Sequence, residues 1–203
     1  MTIPKTRHLD LGCGAAPRNP YSRDELLGVD LSGSSDGAAD RVQIRRANLV
    51  LSPIPFDDNQ FESVSAYDFL EHVPRIMATR DGLATRFPFI ELMNEVWRVL
   101  RPGGLFYAST PAYPHANAFV DPTHVNVITD GTHRYFTQPH RLAGMYGFKG
   151  DFICRRVQWA SPNEHTLYTP PLAGRLQCWR HAWRVKRGRC GHVVWEFEAL
   201  KAT

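Results

Sequence analysis

Short runs of apolar residues alternate with polar stretches along the first half of the chain. Each run ends in an acidic residue, a glycine turn or another polar residue. Runs of about four to eight aliphatic, β-branched or aromatic residues with such punctuation are typical of buried strands. The predicted strands are residues 7–11, 26–30, a stretch within 40–48, 61–67 and 105–109.

One stretch between these strands has the period of a helix instead. Between Phe89 and Leu100 the apolar residues recur at helical spacing, so we predict an amphipathic helix that ends before Pro102. Its apolar positions are Phe89, Leu92, Met93, Val96, Val99 and Leu100. Strands that alternate with helices favour a βα architecture with parallel strand pairing.

The second half of the chain is less regular. Residues 110–140 are rich in Pro, His, Thr and Asn and lack a clear period, which is typical of an active-site cover. A helix is predicted for residues 138–146, and residues 151–159 and 192–200 alternate as strands that pair antiparallel at one edge. The predicted fold is therefore α/β: a Rossmann-like three-layer sandwich with a mostly parallel seven-stranded sheet and an antiparallel edge hairpin.

Length and composition narrow the class of protein. With 203 residues, 43% of them hydrophobic, the chain is predicted to form a single domain over residues 1–203 with an insertion at about 160–191. The apolar stretches are too short to cross a membrane, and no signal peptide is recognisable, so no membrane partner is expected. The four cysteines form no C-x-x-C pair, which indicates reduced thiols and a cytoplasmic location.

A candidate cofactor site lies at the end of the first predicted strand. Asp10-Leu11-Gly12-Cys13-Gly14 forms a Gly-x-Gly turn, whose backbone N–H groups can approach a carboxylate or phosphate closely. Asp30 closes the second strand twenty positions later, where a carboxylate can accept hydrogen bonds from both ribose hydroxyls. Together the two features predict a site for an adenosine-containing cofactor.

Five ordered blocks of sequence resemble the class I S-adenosylmethionine (SAM)-dependent methyltransferases of the type 11 kind. The blocks are His8-Leu9-Asp10-Leu11-Gly12-Cys13-Gly14, Gly28-Val29-Asp30, Pro55-Phe56-Asp57-Asp58-Asn59-Gln60-Phe61-Glu62, Leu70-Glu71-His72-Val73 and Arg98-Val99-Leu100-Arg101-Pro102-Gly103-Gly104. The resemblance covers roughly residues 7–112. NAD-binding Rossmann domains share the first two blocks and not the later three.

The resemblance implies that the chain binds SAM and releases S-adenosylhomocysteine. The residues that it implies are Asp10, Gly12, Cys13 and Gly14 at the methionine end, Asp30 at the ribose, Leu31, Asn48 and Leu49 at the adenine, and Tyr67 and Asp68 near the sulfonium. Two departures stand out, because Ala16 replaces the usual third glycine and Pro17 and Pro20 interrupt the following helix. We therefore predict a loop or a single turn there.

Catalytic candidates follow from the chemistry of methyl transfer, an in-line displacement in which a base can assist a hydroxyl acceptor. The polar candidates in the irregular segment are Tyr113, His115, Asp121, His124, Asn126, His133 and Tyr135. We take His124 as the base, Asp121 as the group that orients it, and His72 as a third catalytic candidate. The alternative is that Asp121 caps a turn and His124 packs structurally.

Two sets of residues have the chemistry of metal ligands but not the spacing of a compact motif. The first combines His115, Asp121 and His124 with Glu71 or His72, and the second combines Cys178, His181, Cys190 and His192. We assign no metal site from the sequence.

The segment from Arg175 to Arg189 holds six Arg or Lys residues and no acid. It is predicted to be a solvated helix face, with a phosphate-bearing or acidic partner as the alternative. Leu176, Trp179 and Trp183 recur at helical spacing and are predicted to form a buried stripe.

The leading functional hypothesis is methylation of a hydroxyl on a small molecule or a glycan. One alternative is an RNA or protein methyltransferase that grips its substrate through the segment Arg175–Arg189, which is the only nucleic-acid contact that we expect. The other alternative is a SAM-binding accessory protein without catalysis of its own.

Overall fold

The computed structural model describes residues 5–33, 42–161 and 168–202. The strands are β1 (Arg7–Leu11), β2 (Glu25–Asp30), β3 (Val42–Arg46), β4 (Phe61–Tyr67), β5 (Met77–Ala78), β6 (Thr85–Arg86), β7 (Leu100–Pro111), β8 (Phe152–Ala160) and β9 (His192–Ala199). The helices are α1 (Pro88–Val99), α2 (Asn117–Val120) and α3 (Arg175–Lys186), and short 3-10 turns cover Leu70–His72, Thr132–Tyr135 and Leu142–Tyr146.

Seven strands form one sheet in the order β3-β2-β1-β4-β7-β9-β8. The first five of these strands pair in parallel, and β9 pairs antiparallel with both β7 and β8. The predicted fold class is confirmed. The third strand begins at Val42, and residues 40 and 41 of the predicted stretch lie outside the described residues, as do residues 162–167 of the predicted insertion.

One face of the sheet is covered by α1. Its buried residues are Pro88, Phe89, Leu92, Met93, Val96 and Val99, which include five of the six apolar positions predicted for this helix. They join the inward side chains of β1, β4 and β7 in the main hydrophobic core. The helix therefore forms because its period of 3.6 residues keeps one stripe against the sheet.

The parallel strands end at a common edge, and this edge carries the candidate site. In an open α/β sheet, ligands bind beyond the carboxyl ends of the strands. Residues 12–24, all described, contain no helix, so the chain passes from β1 to β2 through the predicted loop. None of the helices in the described ranges is long and apolar enough to cross a bilayer.

The helix predicted for residues 138–146 is wrong. Gln138 donates its backbone N–H to Phe152 on β8, and Arg141 adopts the left-handed conformation with φ of 43°. The left-handed backbone at Arg141 prevents an α-helix from running across this position, and only a 3-10 turn at Leu142–Tyr146 remains.

The buried stripe predicted on α3 is also wrong. Leu176 and Trp179 are each 66% exposed, and Trp183 is 41% exposed. Instead, Ala182 and Val185 line a groove with Trp159 of β8 on the other side of the helix. The guanidinium of Arg187 lies 3.6 Å from the centre of the Trp183 ring, so a cation partly covers the exposed aromatic surface.

Replacing Trp179 by Ser is expected to change the free energy of unfolding by no more than about 0.5 kcal/mol, because an exposed side chain loses little packing. Trp195→Ala is the matched control, since Trp195 is fully buried and its truncation costs about 3–5 kcal/mol. Denaturant unfolding of both variants measures the difference. A loss for Trp179→Ser as large as that of the control would mean that this face of α3 is packed.

Candidate active site

The turn after β1 leaves a cradle at the carboxyl edge of the sheet. Gly12 and Gly14 both have positive φ, 62° and 56°, which an L side chain rarely adopts. A Cβ at Gly12 would lie 2.5 Å from the ring of Phe69, whereas one at Gly14 would meet nothing within 4 Å. Gly12 is therefore fixed against the segment that follows β4, and Gly14 faces open space that a ligand can fill. The backbone N–H of Gly12 donates to Val29 of β2 at 2.8 Å.

Asp30, at the end of β2, borders this cradle. Its carboxylate accepts hydrogen bonds from the backbone N–H of Gly14 at 2.9 Å and from the hydroxyl of Ser32 at 2.7 Å. Burial by itself would raise the pKa of Asp30, but these hydrogen bonds outweigh it and hold the pKa below its usual value. The group is thus an anion that can accept further hydrogen bonds.

The residues expected near the adenine lie at the same edge. Leu31 is largely exposed beside Asp30, as a side chain that meets a ligand ring must be. The side-chain oxygen of Asn48 accepts the N–H of Val50 at 3.0 Å, and Leu49 is buried in the core. Burial raises the pKa of the Cys13 thiol to about 12, so this side chain is a neutral wall of the turn.

A buried chain of hydrogen bonds holds Asp10. The Ser65 hydroxyl donates to its Oδ1 at 2.5 Å, and the N–H of Arg18 donates to its Oδ2 at 2.8 Å. Behind Ser65, Nε2 of His8 lies 2.8 Å from the same hydroxyl. Burial raises the pKa of Asp10 to about 6 against the effect of these donors. The sequence motif identifies Asp10 and misses His8 and Ser65, although polar residues at alternate positions of β4 were an available signal.

Two residues at the tip of β4 differ in their role. Tyr67 is buried against Tyr107, with the Arg18 guanidinium 4.7 Å from its ring centre. Asp68 has a φ of 48°, a conformation that is strained for a residue with a side chain. Its carboxylate lies 2.9 Å from Nε2 of His192, which reaches it from β9 and which sequence reasoning did not place here.

Glu71 lies one turn beyond Asp68 and forms the buried floor of a polar cluster. The side chain is 1% exposed, and Thr110 of β7 donates to its Oε2 at 2.8 Å. Its Oε1 is buried without a hydrogen-bond partner in the described part of the chain and lies 3.9 Å from Nε2 of His124. Burial raises the pKa of Glu71 to about 8, with Asp68 and Asp121 adding to the effect.

The three catalytic candidates come together above Glu71. The rings of His72 and His124 meet edge to face, with centroids 4.8 Å apart. Asp121 lies with Oδ2 4.0 Å from Nε2 of His124, and its Oδ1 accepts the Thr123 hydroxyl at 2.6 Å. His72 is about 50 residues from Asp121 and His124 in the sequence, and the loop after β7 brings these two residues next to it.

The hydrogen bonds determine which nitrogen of each imidazole is free. The single hydroxyl proton of Thr123 goes to Asp121, so Thr123 must accept from Nδ1 of His72, 2.9 Å away. Nδ1 of His124 faces the carbonyl of Ala118 at 3.3 Å and can only donate to it. Both rings therefore carry their lone pair on Nε2.

Other sequence candidates have structural surroundings. His115 accepts the N–H of Asn117 and lies against Gly191, and Asn126 is buried between Arg75 and the carbonyl of Leu70. Tyr113, His133 and Tyr135 lie on the surface of the same loop region. In the described ranges, Cys178, His181, Cys190 and His192 bring no three ligand atoms together, so the alternative zinc set is wrong.

A largely apolar cavity of about 610 Å³ is lined in part by residues that follow the cluster residues closely in the chain. Arg75 lines it four positions after Glu71, and Val127 lines it three positions after His124. Aromatic rings form much of the wall, from Phe87, Phe89, Tyr135, Phe136 and Tyr146. The cavity could take the apolar body of a ligand whose polar end lies at the cluster.

Comparison with known proteins agrees with this geometry. Residues 9–108 match the family described as "Methyltransferase domain". The 24-methylenesterol C-methyltransferase 2 of Arabidopsis thaliana is 25% identical over 199 residues, which cover 88% of this chain. The chain spans 50% of the length of that relative.

Solved structures share the fold over nearly the whole chain. An S-adenosylmethionine-dependent methyltransferase from Mesorhizobium loti gives a TM-score of 0.54 at 16% identity and covers 97% of this chain and 93% of that one. A geranyl diphosphate methyltransferase in complex with SAM gives 0.52 at 15% identity, over 98% and 80%. A complex of the Haloferax volcanii Trm112 methyltransferase activator with a methyltransferase gives 0.59 at 14% identity, over 97% and 84%.

Proposed function

We propose that this chain, whose residues 9–108 belong to the class I SAM-dependent methyltransferases, transfers the methyl group to a hydroxyl oxygen of a small molecule or a glycan. The family, the enzyme class and the cofactor expected from the sequence are confirmed. The acceptor is the proposal. The observation that carries it is the cluster of Glu71, His72 and His124 at the carboxyl ends of the strands, where a hydroxyl acceptor needs a base.

The residues around the first turn fit SAM. Gly14 borders open space, Asp30 is an ionised hydrogen-bond acceptor beside it, and Asp10 offers a carboxylate behind the turn. We infer that Asp10 and the turn bind the amino acid end and that Asp30 binds the ribose. When bound, SAM supplies an electrophilic methyl carbon, whose bond to sulfur breaks with the electron pair on sulfur as the acceptor oxygen bonds to carbon.

His124 accepts the proton that the hydroxyl loses. Its Nε2 carries the lone pair and lies 3.9 Å from Oε1 of Glu71 and 4.0 Å from Oδ2 of Asp121. The imidazolium that forms therefore lies beside two acidic side chains. Asp121 and Thr123 fix His72 beside it, so that the second ring supports the position of the first.

The cavity lined by Arg75 and Val127 favours an acceptor with an apolar body over a free sugar, because its wall is mainly apolar. The test is a panel of phenols, apolar alcohols and glycosides incubated with SAM, with S-adenosylhomocysteine formation and product mass measured. A product methylated on oxygen supports the proposal. Turnover confined to carbon or nitrogen acceptors would overturn it.

The exposed basic face of α3 supports the alternative proposal of an RNA or protein methyltransferase that binds its substrate through this helix. Arg180, Arg184 and Arg187 lie on it beside the exposed Trp183. If this surface grips RNA, affinity will fall steeply with salt as counterions compete for the phosphates. Filter binding of single-stranded and duplex RNA at several salt concentrations tests this. The accessory alternative predicts SAM binding without turnover on any acceptor.

The remaining proposals concern the whole chain. We propose that residues 1–203 act as one domain, because β9 near the C-terminus completes the sheet begun by β1. Free thiols at Cys13, Cys154 and Cys178 support a reducing, cytoplasmic compartment.

The affinity for SAM is expected to be constant above about pH 6 and to fall by up to about tenfold for each pH unit below it. The reason is that burial raises the pKa of Asp10 to about 6, and only its carboxylate form attracts the ammonium of SAM. Calorimetric titrations across this pH range measure the midpoint.

Ser65→Ala sharpens this test. Ser65 donates to Asp10 and lowers its pKa, so its loss is expected to move the midpoint to higher pH. Ser63→Ala is the matched control. Ser63 lies on the same strand as Ser65, but it hydrogen-bonds to His8 and not to Asp10. A midpoint that stays in place in Ser65→Ala would show that Asp10 does not control cofactor affinity.

A further inference from the structure

We infer that Glu71, His72 and His124 form a binding site for a divalent transition-metal ion. One ligand atom from each residue lies within 4.8 Å of the others. In the described part of the chain, this is the only group of three or more His, Cys, Asp or Glu residues that could hold a metal ion. Two imidazoles and one carboxylate are a ligand set that suits zinc and its first-row neighbours, and three protein ligands leave positions open for a substrate.

The strongest single observation is the carboxylate of Glu71. It is almost fully buried, one oxygen is held by Thr110, and the other has no hydrogen-bond donor among the described residues. An unpartnered buried carboxyl oxygen is costly, so it needs a partner that the described residues do not supply. It faces Nε2 of His124 at 3.9 Å, and a cation between these two atoms would satisfy both.

The surroundings of the three ligands are those of a prepared metal site. In each side chain, the polar atom that would not bind the metal is held by a hydrogen bond. Thr110 holds Oε2 of Glu71, Thr123 holds Nδ1 of His72, and the carbonyl of Ala118 holds Nδ1 of His124. Such outer hydrogen bonds orient metal ligands and set the tautomer of histidine. Here they leave Nε2 of both rings with the lone pair that a metal requires.

Distance and charge are also compatible. Tetrahedral ligands at about 2.1 Å from a metal lie about 3.4 Å from one another, so the 3.9 Å between Glu71 and His124 needs a contraction of only about 0.5 Å. Asp68 and Asp121 lie close enough to Glu71 to act on its charge. Two further carboxylates around the ligands add to the attraction for a cation.

The role of the ion in catalysis rests on the proposed O-methylation, whereas its binding does not. An acceptor hydroxyl that binds at an open position would lose its proton more easily, because the cation lowers its pKa. With the ion bound, His124 is a ligand and the proton would pass to the carboxylate of Asp121 or to water; without the ion, His124 accepts the proton as proposed above. The resulting oxygen anion is the stronger nucleophile.

The test is a titration of the EDTA-treated protein with Co²⁺, followed by its visible d–d absorption, and with Zn²⁺ by calorimetry. We expect one ion per chain and a loss of affinity of about 100-fold or more in Glu71→Gln, which keeps the volume and the contact with Thr110. His72→Ala is expected to show a similar loss. His140→Ala is the matched control, since His140 is exposed and lies outside the cluster.

Circular dichroism of each variant shows that it has folded. Absent Co²⁺ bands, or equal affinity in the parent protein and Glu71→Gln, would overturn the metal site. If the EDTA-treated protein still methylates hydroxyls at its full rate, the ion has no catalytic role and the proposed function stands. If metal binds as expected and no hydroxyl is methylated, the site is correct and the proposed function is wrong.

Discussion

Replacing His124 by Ala is expected to lower kcat by about 10²- to 10⁴-fold while leaving the affinity for SAM unchanged, because the side chain assists the acceptor and does not contact the cofactor cradle. The loss is large because Nε2 is the free lone pair between two carboxylates, and no other group in the cluster has the same position. Initial rates with the best acceptor and calorimetry with SAM measure the two quantities separately.

A structural role for His124 would give a different result. The ring is mostly buried against His72, so its truncation could also reduce stability, and thermal unfolding must accompany the kinetics. Added imidazole should restore part of the lost rate if Nε2 acts as a base. His140→Ala serves again as the control. A rate near that of the parent protein in His124→Ala would remove His124 from catalysis.

Replacing Asp30 by Ala is expected to weaken SAM binding by about 100-fold. Two hydrogen bonds from ribose hydroxyls to a carboxylate are together worth roughly 3 kcal/mol, and this free energy corresponds to about two orders of magnitude in Kd. Calorimetric titration with SAM and with S-adenosylhomocysteine measures the loss, which should be the same for both because they share the ribose.

Asp30 also accepts the N–H of Gly14, so its loss can alter the turn itself. Asp30→Asn separates the two effects, because the amide oxygen can still accept that N–H while the negative charge is gone. We expect an intermediate affinity for this variant. Asp57→Ala, on an exposed acid away from the cradle, is the control for net charge. Unchanged affinity in Asp30→Ala would mean that the ribose lies elsewhere.

The sheet was largely predictable from the sequence. β1 and β4 have the predicted bounds, and β2, α1 and β9 differ from prediction by one or two residues. Each has an apolar run, an alternating pattern or a helical stripe, and such patterns leave few alternatives. The errors fall where the surrounding structure decides, as at Arg141, whose left-handed backbone interrupts the predicted helix.

The candidate site divides in the same way. Asp10, the glycine turn and Asp30 could be proposed from the sequence because residues at the ends of neighbouring strands leave a local signature. Thr110, Ser65 and His192 were missed because each acts across strands on a residue distant in the chain. For Ser65 the alternate polar positions of β4 were the one available signal.

The sequence by itself determined the mostly parallel sheet with its antiparallel edge pair and the edge proposed for the cofactor, because periodicity and turn chemistry act within a few residues. Only the tertiary structure decided that Glu71 is buried with an unpartnered oxygen, that His72 and His124 meet above it, and that Trp179 faces solvent. Burial and the partner of each polar atom depend on packing between segments far apart in the chain, as with Glu71 and Thr110. These properties set the pKa of a carboxylate, the free nitrogen of an imidazole and the affinity for a cation, and through them the chemistry of the site.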